Sequence, residues 1–148
     1  MASITNSFSQ DAKVISLVCL PHMMSHVYWL VMPPMFAVLK PAFGITGDLA
    51  TTKIAAVYSL FALSTFVFQT PVGFIVDRFG ARALLVAGLA LEATAIGLFG
   101  VATEYWQLMV LAIFGGIGHT VYHPSDYSIL STRVSEQRVG RAFSIHSA

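Results

Sequence analysis

The 148-residue chain has few charged side chains: only 10% of its residues are Asp, Glu, Lys or Arg, and its formal net charge is +1. It contains no basic run that could neutralise a series of phosphates, so we expect no nucleic-acid partner. The single cysteine, Cys19, cannot form a disulfide within the chain, and it lies in an apolar segment where a thiol packs as a small hydrophobic group. No signal-peptide cleavage site is evident after the first apolar segment, which we therefore expect to remain as a membrane anchor.

Apolar side chains, by contrast, are abundant. They make up 56% of the residues, and the mean hydropathy of +0.74 lies far above that of soluble globular domains. This composition predicts an all-α protein that crosses the lipid bilayer several times.

Four segments of about 20 mostly apolar residues, bounded by charges, prolines or glycines, predict membrane-spanning helices. They cover approximately residues 14–39, 54–76, 83–102 and 108–130. A fifth helix is expected to start near Arg141, and the roughly eight residues that follow rise only about 12 Å, well short of a hydrocarbon core about 30 Å thick. We therefore expect residues 1–148 to be an incomplete N-terminal transmembrane bundle of a longer protein.

The positions of the basic residues predict the orientation of these spans, because cytoplasmic loops are enriched in Lys and Arg. If the N-terminus is cytoplasmic, the opposite side receives only Lys40 and Lys53. The cytoplasmic side then receives the other basic residues, which are Lys13, Arg78, Arg82, Arg133, Arg138 and Arg141. This asymmetry favours a cytoplasmic N-terminus.

The link between the second and third segments combines two glycines, an aspartate and two arginines in ten residues. Gly73 suggests a close approach between helices and Gly80 a tight turn, while Asp77 can cap a helix or pair with an arginine. The pattern resembles the signature loop between the second and third helices of major facilitator transporters. The resemblance implies a conformational-gate motif formed by Gly73, Asp77, Arg78, Gly80 and Arg82.

Six ionisable side chains fall inside the predicted spans, where such groups are costly and usually face a cavity or a partner. Imidazole changes charge near neutral pH, so the histidines among them suit the binding of substrate or protons. Counting helical rise places three of the six near the membrane midplane, namely His26, Glu92 and His119. Two lie nearer the cytoplasmic mouth as a candidate relay, His123 and Asp126, and His22 completes the set.

The first and fourth segments share an H-x-x-x-H spacing, in His22–His26 and His119–His123. Transporters are often built from inverted three-helix repeats whose equivalent helices meet at the binding site, and the first and fourth helices would be such equivalents. The same spacing also arises by chance, so both interpretations stay open. Pro124 removes a backbone hydrogen bond and is expected to kink the fourth helix.

Three stretches resemble the fosmidomycin-resistance-like branch of bacterial major facilitator exporters, namely residues 69–73, 115–126 and 139–146. The resemblance implies a protein of the bacterial cytoplasmic membrane with twelve helices in two bundles. The first and fourth helices would line its central cavity. It implies a transporter without enzymatic activity or cofactor. Its partners would be the lipid bilayer, a small-molecule substrate, protons and the missing C-terminal bundle.

Two other functional classes remain open. Histidines on two facing helices could bind a transition metal or haem within a membrane bundle, since imidazole is a common ligand for both. The chain could also be part of a non-transporting membrane subunit.

Overall fold

The computed structural model describes residues 6–147. These residues form six α-helices and, in the described part of the chain, no β-strand, which confirms the predicted all-α class. The helices are α1 (Phe8–Ala42), α2 (Ala50–Phe79), α3 (Ala81–Gly97), α4 (Tyr105–His119), α5 (Tyr122–Arg133) and α6 (Glu136–His146). A 3-10 turn at Leu98–Gly100 extends α3.

Within the described residues, three helical stretches are long and apolar enough to cross a bilayer. They are Phe8–Ala42, Ala50–Phe79 and Ala81–Gly100. Their most apolar windows are only 17%, 28% and 28% buried by the rest of the chain, so a broad apolar surface faces outward. Such a surface suits contact with lipid.

The segment predicted as a fourth continuous helix is divided in two. Helix α4 ends at His119 after 15 residues, and α5 adds 12 more from Tyr122. At the break, the Thr120 N–H donates to the Ile117 carbonyl in a tighter turn, 3.2 Å away. Pro124 has no N–H to offer the Thr120 carbonyl, so the interruption lies where the proline was expected to bend the helix.

Helix α2 passes into α3 through a single residue, Gly80. Its φ of 91° and ψ of 133° lie in a region that side chains with a Cβ rarely adopt, so glycine is needed there. This confirms the tight turn expected from the sequence. The close approach expected at Gly73 is wrong within the described residues, since a Cβ built there would meet none of their atoms within 4 Å.

Close helix packing depends instead on glycines of α3 and α4. A Cβ on Gly88 would lie 2.7 Å from the Gly118 carbonyl oxygen, and one on Gly118 would lie 2.7 Å from the Glu92 backbone nitrogen. A Cβ on Gly116 would lie 2.3 Å from the Phe61 carbonyl oxygen of α2. Small residues let backbones touch where lipid supplies no hydrophobic drive, and they fix α4 against both α2 and α3.

Buried apolar side chains form three clusters along the bundle. One includes Met32, Phe61 and Leu108, a second includes Val76, Leu85 and Val121, and a third includes Val18, Leu130 and Ala142. The interior also contains buried polar residues, and four ionisable ones among them are His22, Glu92, His119 and Asp126. The bundle therefore carries a polar layer inside an otherwise apolar core.

The start of α1 is tied to the connection between α5 and α6. Asp11 is only 1% exposed, and it accepts hydrogen bonds from the Arg138 Nε at 2.7 Å and the Ser135 backbone N–H at 3.2 Å. The Asn6 side chain also donates to Asp11, at 2.8 Å. These contacts hold α1 beside α5 and α6 and so set the register of the polar layer.

Candidate functional site

One half of the polar layer is a carboxylate–imidazole pair between α3 and α4. The Nδ1 atom of His119 lies 2.9 Å from Oε1 of Glu92. Glu92 is 0% exposed and His119 is 4% exposed. The pair forms because Gly88 and Gly118 allow the two helices to touch at this level. Within residues 6–147, Oε2 of Glu92 has no hydrogen-bond partner, so the carboxylate can accept one more proton or donor.

Aromatic rings surround the imidazole of His119. The Trp29 ring lies edge-on at 5.0 Å between centroids, and the Phe61 and Tyr122 rings each lie at 5.5 Å. Trp29 is itself held by α2, because its indole N–H donates to the Tyr58 hydroxyl. These rings exclude water from one side of the pair, which strengthens its electrostatic interaction.

The other half of the polar layer joins α1 to α5. The Nδ1 atom of His22 lies 2.9 Å from Oδ2 of Asp126, whose side chain is 0% exposed. On the other side of the ring, Nε2 of His22 lies 3.1 Å from Nε2 of His26. With Asp126 ionised, the Nδ1–H of His22 donates to the carboxylate, and in the neutral ring Nε2 accepts from His26. A continuous polar chain thus leads from exposed His26 to buried Asp126.

A cavity of about 250 Å³ borders the half that contains His119. It lies between α1, α2 and the break that separates α4 from α5. Its lining residues are Trp29, Ala62, Thr65, Phe66, Gln69, His119 and His123. The aromatic faces, one amide and two imidazoles give the cavity the mixed apolar and polar lining of a small-molecule site.

The structure brings the six predicted site residues into two groups. Glu92 pairs with His119, and Asp126 with His22. The expected relay from His123 to Asp126 is not formed, because the described partners of Asp126 are His22 of α1 and, at 3.6 Å, His146 of α6. Instead the half-buried His123 ring packs against His22, with 5.0 Å between the centroids.

Two residues of this region, Trp29 and His146, were not predicted from the sequence to belong to the site. Trp29 lies seven residues after His22, which is two helical turns, so helical periodicity could have placed it on the same face. His146 lies on α6 with its ring centroid 4.0 Å from that of His22. No spacing rule links residues on α1 and α6, and only the packing of these helices brings the two rings together.

The charged link, residues 73–82 at the end of α2 and the start of α3, carries exposed rather than buried charges. Asp77, Arg78 and Arg82 are exposed, and none of them forms an ion pair with any residue in the range 6–147. The guanidinium of Arg78 instead lies 5.6 Å from the centroid of the Phe79 ring. The expected pairing of Asp77 with an arginine is therefore wrong for this part of the chain.

Residues 18–148 match the family described as the Major Facilitator Superfamily. The chain belongs to this superfamily. Membership confirms the family-level resemblance of the α2–α3 link, and together with the apolar helices it makes the chain part of a multi-pass membrane protein.

Among curated superfamily members, the chain is similar to the multidrug resistance protein MdtH of Shigella boydii serotype 4 (strain Sb227) and of Escherichia coli O1:K1 / APEC. Each is 33% identical over 73 residues, a stretch that covers 49% of this chain and 18% of the relative. The chain thus covers less than a fifth of the length of the relatives it matches. No solved structure matches the chain.

Proposed function

We propose that the protein is a proton-coupled major facilitator transporter that exports small amphiphilic molecules across the bacterial cytoplasmic membrane. Superfamily membership supports transport rather than enzymatic catalysis. Similarity to proteins named for multidrug resistance supports a drug-like substrate. The observation that carries the proposal is the buried Glu92–His119 pair beside the aromatic cavity.

In this proposal the chain forms most of an N-terminal bundle with a cytoplasmic N-terminus. Helices α4 and α5 together make a fourth span that is interrupted at the Thr120–Val121 turn, and α6 begins a fifth. A second bundle would close the cavity on its open side and supply the surface against which this half moves. Within the superfamily, we place the chain in the fosmidomycin-resistance-like branch on the aromatic-His-Pro stretch at 122–124.

The chemistry of the pair suits exchange of a proton for a cation. With neutral His119 and ionised Glu92 the pair carries one negative charge, and a proton bound between them removes it. A cationic substrate in the cavity would be attracted to the negative state and released from the neutral one. Trp29 and Phe66 present ring faces that bind cations and flat apolar groups.

The second polar chain, from His26 through His22 to Asp126, would extend the proton path from the cavity side toward α5. His26 is exposed and can exchange protons with water, whereas Asp126 is fully buried. The exposed charges Asp77, Arg78 and Arg82 would act elsewhere, as a gate whose partners lie outside the described residues. The first assignment follows because the side chains from His26 to Asp126 are hydrogen-bonded to one another. The second follows because the three exposed charges have no ionic partner among the described residues.

The direct test uses the full-length protein in proteoliposomes with ethidium as the probe, a flat aromatic cation. Glu92→Gln removes the negative charge with little change in shape, so we expect ethidium movement driven by a pH gradient to fall at least tenfold. Exchange of ethidium without a gradient should persist at saturating ethidium, because the aromatic lining is retained, although its affinity should fall with the loss of the negative charge. The exposed carboxylate Glu136 offers a matched control, and Glu136→Gln should transport as the unaltered protein does.

Gradient-driven transport at an unchanged rate in the Glu92→Gln protein would reject the coupling role. Loss of both driven transport and exchange at saturating ethidium in a folded protein would also contradict it, since that result makes Glu92 indispensable for substrate binding itself rather than for coupling to protons.

A further inference from the structure

Three imidazoles from three helices converge on one point next to the cavity. They belong to His22 of α1, His123 of α5 and His146 of α6. One ring nitrogen from each can be chosen so that all three lie within 4.8 Å of one another. The ring centroids of His22 and His146 are 4.0 Å apart, and those of His22 and His123 are 5.0 Å apart.

Two of these rings have nitrogen atoms without hydrogen-bond partners. Among residues 6–147, neither nitrogen of His146 is hydrogen-bonded, although its side chain is only 1% exposed. The Nδ1 atom of His123 is likewise buried and unpaired within the same residues. A buried polar group without a partner carries a desolvation penalty, and a ligand that accepts the nitrogen lone pairs would relieve it.

The environment of His22 resembles that of a metal ligand. Its Nδ1 faces the Asp126 carboxylate at 2.9 Å, which leaves Nε2 as the coordinating atom once its 3.1 Å contact with Nε2 of His26 opens. Histidines that bind metals commonly donate their second N–H to a carboxylate, because this fixes the ring and makes the coordinating nitrogen more basic. Oδ2 of Asp126 also lies 3.6 Å from Nε2 of His146, so one carboxylate faces two of the three rings.

We propose that His22, His123 and His146 bind one divalent transition-metal ion of the zinc class. Imidazole nitrogens suit zinc, copper and nickel, and a zinc–nitrogen bond of about 2.0–2.1 Å requires nitrogens about 3.4 Å apart in a tetrahedral site. Closing from the 4.8 Å limit is within the reach of side-chain rotation. The fourth position would face the cavity, which His123 lines, and would hold water or a substrate donor.

This site differs from the histidine pairs that sequence spacing suggests. His119 takes no part, because it does not belong to the group whose ring nitrogens all lie within 4.8 Å of one another. His26 lies near His22 but does not belong to the three-histidine cluster, because its nitrogens are not close to those of all three rings. The bound ion would connect α1 to α5 and α6 within this bundle.

The test measures metal binding alone and needs no transport. The full-length protein, purified in detergent without a polyhistidine tag and stripped with a chelator, is titrated with Co²⁺ and then with Zn²⁺. We expect one equivalent of Co²⁺ with the visible absorption of a tetrahedral site, displaced by Zn²⁺. His146→Gln should lower the affinity at least tenfold, and Asp126→Asn should lower it about 10- to 100-fold by releasing the orientation of His22.

Glu136→Gln is the matched control, since it alters an exposed carboxylate outside the cluster, and its affinity should equal that of the unaltered protein. Size-exclusion chromatography and circular dichroism check the fold of each variant. If the His146 variant does not fold, His123→Gln replaces it with the same expected loss. Absence of the cobalt spectrum, equal binding by the cluster variants, or equal loss in the Glu136 variant would overturn the proposal.

Discussion

The buried polar layer and the exposed link between α2 and α3 contain the same kinds of charged groups in opposite situations. In the layer, Glu92 and Asp126 are fully buried, and each lies 2.9 Å from an imidazole nitrogen. In the link, Asp77 and Arg82 are exposed and have no ionic partner among residues 6–147. The carboxylates of the layer are paired with side chains of this chain, whereas the charges of the link remain available to water or to another surface.

This difference teaches how each region can contribute to stability and function. A buried charge must be paired locally, because its desolvation penalty is large. An exposed charge carries little of that penalty and contributes little to stability. Changes in the layer should therefore destabilise the helix bundle, and changes in the link should alter function while leaving stability nearly intact.

The largest effect is expected from His119→Ala, which leaves Glu92 buried without its partner. Removing one member of a buried pair typically costs about 3–5 kcal/mol, so the melting temperature of the purified protein should fall sharply. Thermal unfolding followed by fluorescence-detected size exclusion measures this. The double variant with Glu92→Gln leaves no unpaired buried charge at this pair and should recover part of the loss. Equal stability of the single and double variants would mean that the pair does not set the stability of the layer.

An intermediate effect is expected from Gly118→Ala. The added Cβ would lie 2.7 Å from the Glu92 backbone nitrogen and 2.8 Å from the Gly88 carbonyl oxygen, so α3 and α4 must separate. Overpacking of this kind costs about 1–3 kcal/mol, and it should also lengthen the Glu92–His119 contact.

Gly97→Ala serves as the control for the glycine substitution, because its Cβ would meet no described atom within 4 Å. We expect its stability to be unchanged or slightly higher, since alanine favours helix over glycine by up to about 1 kcal/mol. A Gly118 variant as stable as the Gly97 variant in the same thermal assay would show that the close approach of α3 and α4 is not needed.

The smallest effect on stability is expected from Asp77→Asn and Arg82→Gln in the exposed link. Both side chains lack ionic partners within the described range, so stability should change by about 0.5 kcal/mol or less. Ethidium transport by the full-length protein should nevertheless fall, because the link is proposed as a gate. A loss of stability as large as that of the His119 variant would remove the contrast between the two regions.

Much of the architecture was predictable from local pattern. The apolar content indicated a membrane bundle, and the ten-residue link indicated both the superfamily and the turn that Gly80 makes with its φ of 91°. The proline at position 124 indicated a disturbance of the fourth segment, although it did not distinguish a kink from the observed separation of α4 and α5. These features depend on residues that are close together in the sequence.

The pairing of the buried polar groups was not predictable in this way. The spacing put His119 and His123 in one motif, and His123 and Asp126 were expected to form a relay, yet the break after His119 and the packing of α1 gave them different partners. His146 joined the cluster because α6 packs beside α1, where the Asp11–Arg138 ion pair and the cluster of Val18 and Ala142 lie.

By itself the sequence determined that these residues cross a membrane as helices, where the chain turns, and which costly side chains lie within the spans, because hydropathy, glycine and proline act over a few residues. Only the tertiary structure decided which carboxylate meets which imidazole and where the cavity opens, because those contacts depend on how closely separate helices approach and at what relative height they pack.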